Sequence, residues 1–111
     1  MIEKTVLDYL AQELDVPVKM EVPKNPPARF VVCEKTGSSR TDLVNAATIA
    51  IQSYAESLAE AAKLNEMVKE AMDGMVQLAE VGGVRLNSDY NFTNTAMERY
   101  RYQCVYVVTY V

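Results

Sequence analysis

Residues 41–75, TDLVNAATIAIQSYAESLAEAAKLNEMVKEAMDGM, contain no proline, and no glycine before Gly74. Read at face value they form one helix of some 35 residues, far above the usual helix length of about 11 to 12. Within them Ala46-Ala47-Thr48-Ile49-Ala50-Ile51-Gln52 carries β-branched residues in alternation, which places a strand at 47–52. Ser53-Tyr54-Ala55-Glu56 then has the Ser-x-x-Glu form of a capping box. From Tyr54 onward Leu58, Ala61, Leu64, Val68, Met72 and Met75 recur at steps of three and four, with Glu56, Glu60, Lys63, Glu66, Lys69, Glu70 and Asp73 on the other side. That spacing predicts an amphipathic main helix packed on a sheet, so the chain is α+β rather than all-α.

Upstream, Ile2, Val6, Leu10 and Leu14 form one apolar stripe on a short helix that Pro17 ends. Val18, Met20 and Val22 alternate with Lys19 and Glu21 as a half-buried strand. Pro23, Pro26 and Pro27 make a stiff corner, and Arg29-Phe30-Val31-Val32-Cys33-Glu34 is a second strand, expected to pair antiparallel with the first across it. Thr36-Gly37-Ser38-Ser39-Arg40 reads as an exposed turn or loop.

Downstream, Gly82-Gly83 precede a strand at Val84-Arg85-Leu86-Asn87, and the polar run Asn87–Thr95 reads as a loop or hairpin tip. The last strand sets Tyr100, Tyr102, Cys104, Tyr106, Val108 and Tyr110 on one face and Arg99, Arg101, Gln103, Val105, Val107 and Thr109 on the other. Either face could be the buried one. The expectation is one domain over 1–111, of order α-β-β-β-α-β-β, a mostly antiparallel sheet under a long and a short helix.

Composition narrows the chemistry. The 111 residues include no histidine and no tryptophan, which removes the commonest general base and metal ligand. Fifteen acidic against eleven basic residues, a net charge of −4, argue against phosphate-backbone binding. Cys33 and Cys104 are too few and too far apart for a redox pair, a zinc cluster or a disulfide framework, and read as core thiols. The glycines lack phosphate-cradling spacing, and Asp89 with its asparagine neighbours forms no calcium-loop pattern. We therefore expect no catalytic residues, no cofactor and no metal. A charged, helical N-terminus without a signal-peptide apolar core, and no long apolar run, lead us to expect a cytoplasmic chain that avoids membranes.

Two features suggest partner surfaces. Four alternating tyrosines in the last strand supply contact area of the kind enriched at interfaces, or else lie beneath the helices. Arg29, Arg40, Arg99 and Arg101 could pair with acids of a neighbouring subunit, or be solvated strand-edge charge.

The segments Val16-Pro17-Val18-Lys19-Met20-Glu21-Val22-Pro23 and Pro26-Pro27-Ala28-Arg29-Phe30-Val31-Val32-Cys33-Glu34-Lys35-Thr36-Gly37 resemble the opening of tail terminator proteins of long noncontractile-tailed phages and prophages. There a short helix leads to a strand, a proline corner, an Arg-Phe-Val strand and a Thr-Gly turn. Ile49–Ser57 with Glu60-Ala61-Ala62 is similar to that family's strand-to-helix junction, and Arg99–Tyr106 to its terminal strand. Ser38-Ser39 depart from it, since many relatives carry a second glycine after Thr-Gly.

The resemblance implies a structural protein, not an enzyme. It implies a homo-hexameric ring that caps the tail tube, stops its polymerisation and offers a docking face to the head connector or head-closure protein. Its location would be the host bacterial cytoplasm during assembly and then the virion tail. DNA would pass through without sequence-specific binding, and an acidic wall suits such passage because like charge repels phosphate. From their own polarity and their placement at strand ends, we expect the loops Thr36–Arg40 and Asn87–Thr95 to reach a neighbouring ring or subunit, through Thr36, Gly37 and Arg40 in the one and Asp89, Tyr90 and Asn91 in the other. Arg99 and Arg101 would pair across the subunit seam. The rival readings are another neck adaptor, such as a tail-completion or head-closure protein, or a small domain using Cys33 as a nucleophile or a ligand pocket under the main helix.

Overall fold

A computed structural model describes residues 1–94, 96 and 99–111. The expected architecture is present: two α-helices on one face of a five-stranded sheet, mostly antiparallel, with helices and strands in the order α-β-β-β-α-β-β. We label helix α1 Ile2–Glu13 and strands β1 Val18–Lys19, β2 Phe30–Thr41 and β3 Val44–Ala55. Helix α2 is Leu58–Gly74, continued by a 3-10 turn at Met75–Gln77, and strands β4 and β5 are Val81–Asn91 and Tyr100–Tyr110. The strands lie in the order β1-β2-β3-β5-β4.

The core sits between the helices and one sheet face. Val6 and Leu10 of α1 and Leu64, Val68 and Met72 of α2 meet Val31 and Cys33, Ile49 and Ile51, and Cys104, Tyr106 and Val108. Burial of these side chains is the main force holding the layers together.

Several boundaries differ from the sequence reading. β1 is only two residues long and pairs parallel with β2, through Val18–Val31 and Lys19–Val32, not antiparallel. Of the alternating Val18, Met20 and Val22, only Val18 is buried, and the proline-rich segment carries the chain back so that β2 starts in the same direction.

Thr36–Arg40 is not a turn. These residues are extended strand paired with β3, and the chain reverses at Asp42-Leu43, both with positive φ (51° and 68°). Gly37 lacks the positive φ that a glycine turn would use and instead adjoins a β-bulge between Lys35 and Gly37. Two central residues of left-handed backbone form the mirror-image turn whose twist matches that of a hairpin.

Helix α2 starts later than expected. Ser53, Tyr54 and Ala55 are held in β3, paired with β2, β5 or both. The capping residue is Ser57, whose hydroxyl accepts from the Glu60 amide at 3.2 Å, so the Ser-x-x-Glu signal at 53–56 recurs one turn later and operates there. Leu58, expected on the buried stripe, is exposed, and Asn65 is buried in the same face.

Asn87–Asn91 are strand rather than loop. Asp89 has a structural role there: it accepts from Asn65 Nδ2 at 2.6 Å and pairs with Lys69 Nζ at 2.5 Å, tying β4 to α2. Thr95, the end of the expected loop, lies outside the described residues.

Candidate interaction surface

The tyrosine face of β5 is the one beneath the helices. Cys104, Tyr106 and Val108 are buried there, and the single Tyr106 hydroxyl proton is shared between two acceptors, Lys69 O at 3.2 Å and Asp73 Oδ1 at 3.1 Å. Only Tyr100, at the start of the strand, is an exposed tyrosine of that face.

The opposite sheet face has no helix over it among the described residues, and it holds a row of side-chain hydrogen bonds that crosses four strands. Gln52 Nε2 donates to Gln103 Oε1 at 2.9 Å and Gln103 Nε2 donates to Tyr90 Oη, with Glu34 Oε1 3.5 Å from Gln52 Nε2. The row thus crosses β2, β3, β5 and β4. Gln52 and Gln103 are buried, so each amide needs these partners, since burying an unpaired amide is costly.

Next to this row sits a stack built from three strands and a loop. Phe30 lies flat on Tyr54, centroids 4.5 Å apart, and the Arg101 guanidinium lies over the rings of Phe92 (4.2 Å) and Tyr54 (5.6 Å). Arg101 also donates to Phe92 O and Tyr54 Oη, and Tyr54 Oη donates to Gln52 Oε1. Arg99 donates to the carbonyls of Pro26, Pro27 and Ala28, which fastens the proline corner over this end of the sheet. Prolines supply acceptors but no competing donors, so the corner presents a run of free carbonyls to one planar fork. Both arginines expected at a subunit seam are thus engaged within the chain.

The remaining candidates divide between the two sides of the sheet. Thr36, Gly37 and Arg40 lie on the exposed outer half of β2, whereas Asp89, Tyr90 and Asn91 lie at the end of β4. β3 and β5 stand between them. Asp89 faces α2, Tyr90 faces the open side, and Asn91 Oδ1 accepts from the Thr93 amide and hydroxyl. They form two edges rather than one site.

Sequence reading missed the hairpin tip. Leu43 is 79% exposed and Val44 52%, at the end of the β2–β3 hairpin, and Leu43 is held at a positive φ that non-glycine residues avoid. An apolar side chain, unburied and on strained backbone, gains nothing within its own fold. Its signal in the sequence was Asp42-Leu43 between two β-rich runs, without the glycine that normally marks such a turn.

Both thiols lie in the core, and burial above all pushes their pKa up to about 12, with Glu3 and Glu34 adding to it at Cys33 and Asp89 at Cys104. Each is protonated at neutral pH, which is the unreactive form. The space beneath α2 is filled by core side chains. A shallow cleft between the helices is lined by Tyr9, Glu13, Met67 and Glu70 among others. Among the described residues no group of three or more acidic or cysteine side chains is placed to hold a metal, and no helix is long and apolar enough to cross a membrane. No protein-family model matches the chain, and no curated protein matches it significantly.

Proposed function

We propose that this chain is a structural subunit of a phage tail terminator ring, which caps the tail tube and receives the head connector. The observation that carries the reading is the hairpin tip. Leu43 and Val44 are exposed at the end of the β2–β3 hairpin, and in the proposed ring this tip is the contact to the stacked tube or connector. Strained backbone and exposed apolar area cost stability unless a partner uses them. The resemblance in element order, from the short helix through the proline corner to the terminal strand, supplies the class of partner: tube protein on one face and connector on the other.

In this reading the chain does no chemistry. The helices and the Arg99 clasp hold the sheet rigid, and the tip enters an apolar recess of the tube or connector. The subunit's net charge of −4 disfavours adhesion of DNA passing through the ring. Assembly takes place in the host cytoplasm and the product stays in the virion tail.

The test is binding of the purified protein to isolated tail-tube ends by sedimentation and negative-stain imaging, alongside L43D. Wild type should cap the ends and L43D should not, while its melting temperature and its own oligomeric state stay as in wild type. Equal capping by both proteins would remove the tip from the mechanism, and no capping by wild type would refute the terminator reading.

A further inference from the structure

β2 pairs with β1 only at Val31 and Val32, so from Glu34 to Thr41 its outer side has no strand beside it among the described residues. β4, at the other end of the sheet, pairs among the described residues with β5 alone. Residues 34–41 are all exposed, and neither strand contains proline. Long open edges of this kind are templates for another strand unless they are blunted.

We infer that these two edges are complementary and that copies of the chain join head to tail, the outer half of β2 adding to β4 of the next copy. This rests on the ring reading above and specifies its seam.

Three observations support self-pairing over capture of some other strand. The first is direction. β2 is antiparallel to β3, β3 to β5 and β5 to β4, so β2 and β4 run in opposite senses. A second copy set beside the first in the same orientation therefore brings its β2 antiparallel to β4, the pairing that continues the sheet.

The second is shape. β2 is bulged between Lys35 and Gly37, and β4 between Leu86 and Ser88 and again near its start between Val81 and Gly83. The Lys35/Gly37 and Leu86/Ser88 bulges flank the row Lys35–Ile49–Tyr106–Leu86 that crosses the sheet, one on each side of it, so the two outer strands bend close to a common row while β3 and β5 pair without a register shift between them. Bulged strands bend and twist locally, which makes most straight strands poor partners and a strand with the same bend a good one. Laid side by side without stagger, the Thr36 bulge of one copy and the Asn87 bulge of the next come to lie on either side of one shared row, about one residue apart.

The third is symmetry. Two different edges on opposite sides of one subunit give a heterologous contact, which closes into a ring when the rotation per copy permits. A dimer about a two-fold axis would use one edge twice and leave the other open.

Proline scanning of the edges tests this. S38P and S39P are made on β2, and R85P and L86P on β4. Adjacent amides in a strand point to opposite sides, so within each pair one variant removes an outward donor and the other a donor of the internal ladder. Thermal melting separates them, and the variant that melts like wild type is carried forward. Its mass is then read by light scattering beside wild type over a concentration series.

Each edge-blocked variant should stay monomeric where wild type assembles, and an equimolar mixture of the two should stop at a dimer, since only one good seam remains. Three results would overturn the seam. Blocked variants that assemble like wild type would leave the ring but place its contacts elsewhere. A blocked variant that dimerises alone would mean a two-fold contact. Wild type that is monomeric at every concentration would rule out self-pairing of the edges, while capping of tube ends would still decide the terminator reading separately.

Discussion

Leu43 illustrates how a single residue separates stability from use. Left-handed backbone costs a non-glycine residue roughly 1 to 2 kcal/mol, and glycine recovers most of that at an entropic cost of about 0.5 to 1 kcal/mol. L43G should therefore stabilise the fold by about 0.5 kcal/mol or a little more in urea melts, because the leucine it replaces buries almost nothing. The same variant should lose capping of tube ends. The buried amides behave in the opposite way. Q52L strands Gln103 Oε1 without its donor and removes the acceptor of Tyr54 Oη, so it should cost about 2 to 3 kcal/mol. Q52L/Q103L should cost less than the two single variants combined, since it removes both partners of the central bond.

The Arg99 clasp is an equally local device with a wider reach. R99A deletes three donor contacts to the proline corner and should lower stability by about 2 kcal/mol. Limited proteolysis within residues 20–29 should accelerate with it. R99K should fail to rescue the clasp, because an ammonium cannot present a planar fork.

At the scale of elements, periodicity was informative where one face of a segment meets the core and misleading where polar residues serve structure. The stripes of α1 and α2 and the alternation in β5 were visible because they bury Val6 and Leu10, Leu64 and Val68, and Cys104 and Tyr106. Thr36–Arg40, which carries Gly37, and Asn87–Asn91 were read as loops because they are polar, yet both are edge strands. An edge strand beyond the helices has no apolar side to reveal it, and Asp89 is polar because it holds Asn65 and Lys69. The parallel β1 was equally hidden, since direction depends on the path of the proline corner. V68A tests the packing of α2 on the sheet. It should cost about 2 to 3 kcal/mol by loss of buried area and the cavity left behind, whereas K63A on the solvent side should change stability by less than about 0.5 kcal/mol.

The whole molecule is a layer of helices on a sheet whose other face and two edges are, among the described residues, largely uncovered. Its pH response should be alkaline. Burial pushes Cys33 and Cys104 from 9.0 up to about 12, and burial followed by the nearby Asp73 raises Tyr106 above 10.0. Groups raised on folding contribute stability that is complete below their unfolded values and is lost as pH climbs toward the folded ones. Stability should therefore hold to about pH 9 and fall from there toward pH 12, as followed by circular dichroism at fixed urea. Native thiol labelling at pH 8 should be limited by unfolding.

The central claim is that this sheet is made to be completed by copies of itself. Its most direct measurement is the mass of the wild-type protein by light scattering across a concentration series, read with its binding to isolated tail-tube ends. The account predicts a closed species of about six times 12.4 kDa that caps tube ends. A protein that stays monomeric at every concentration and leaves tube ends bare would contradict it.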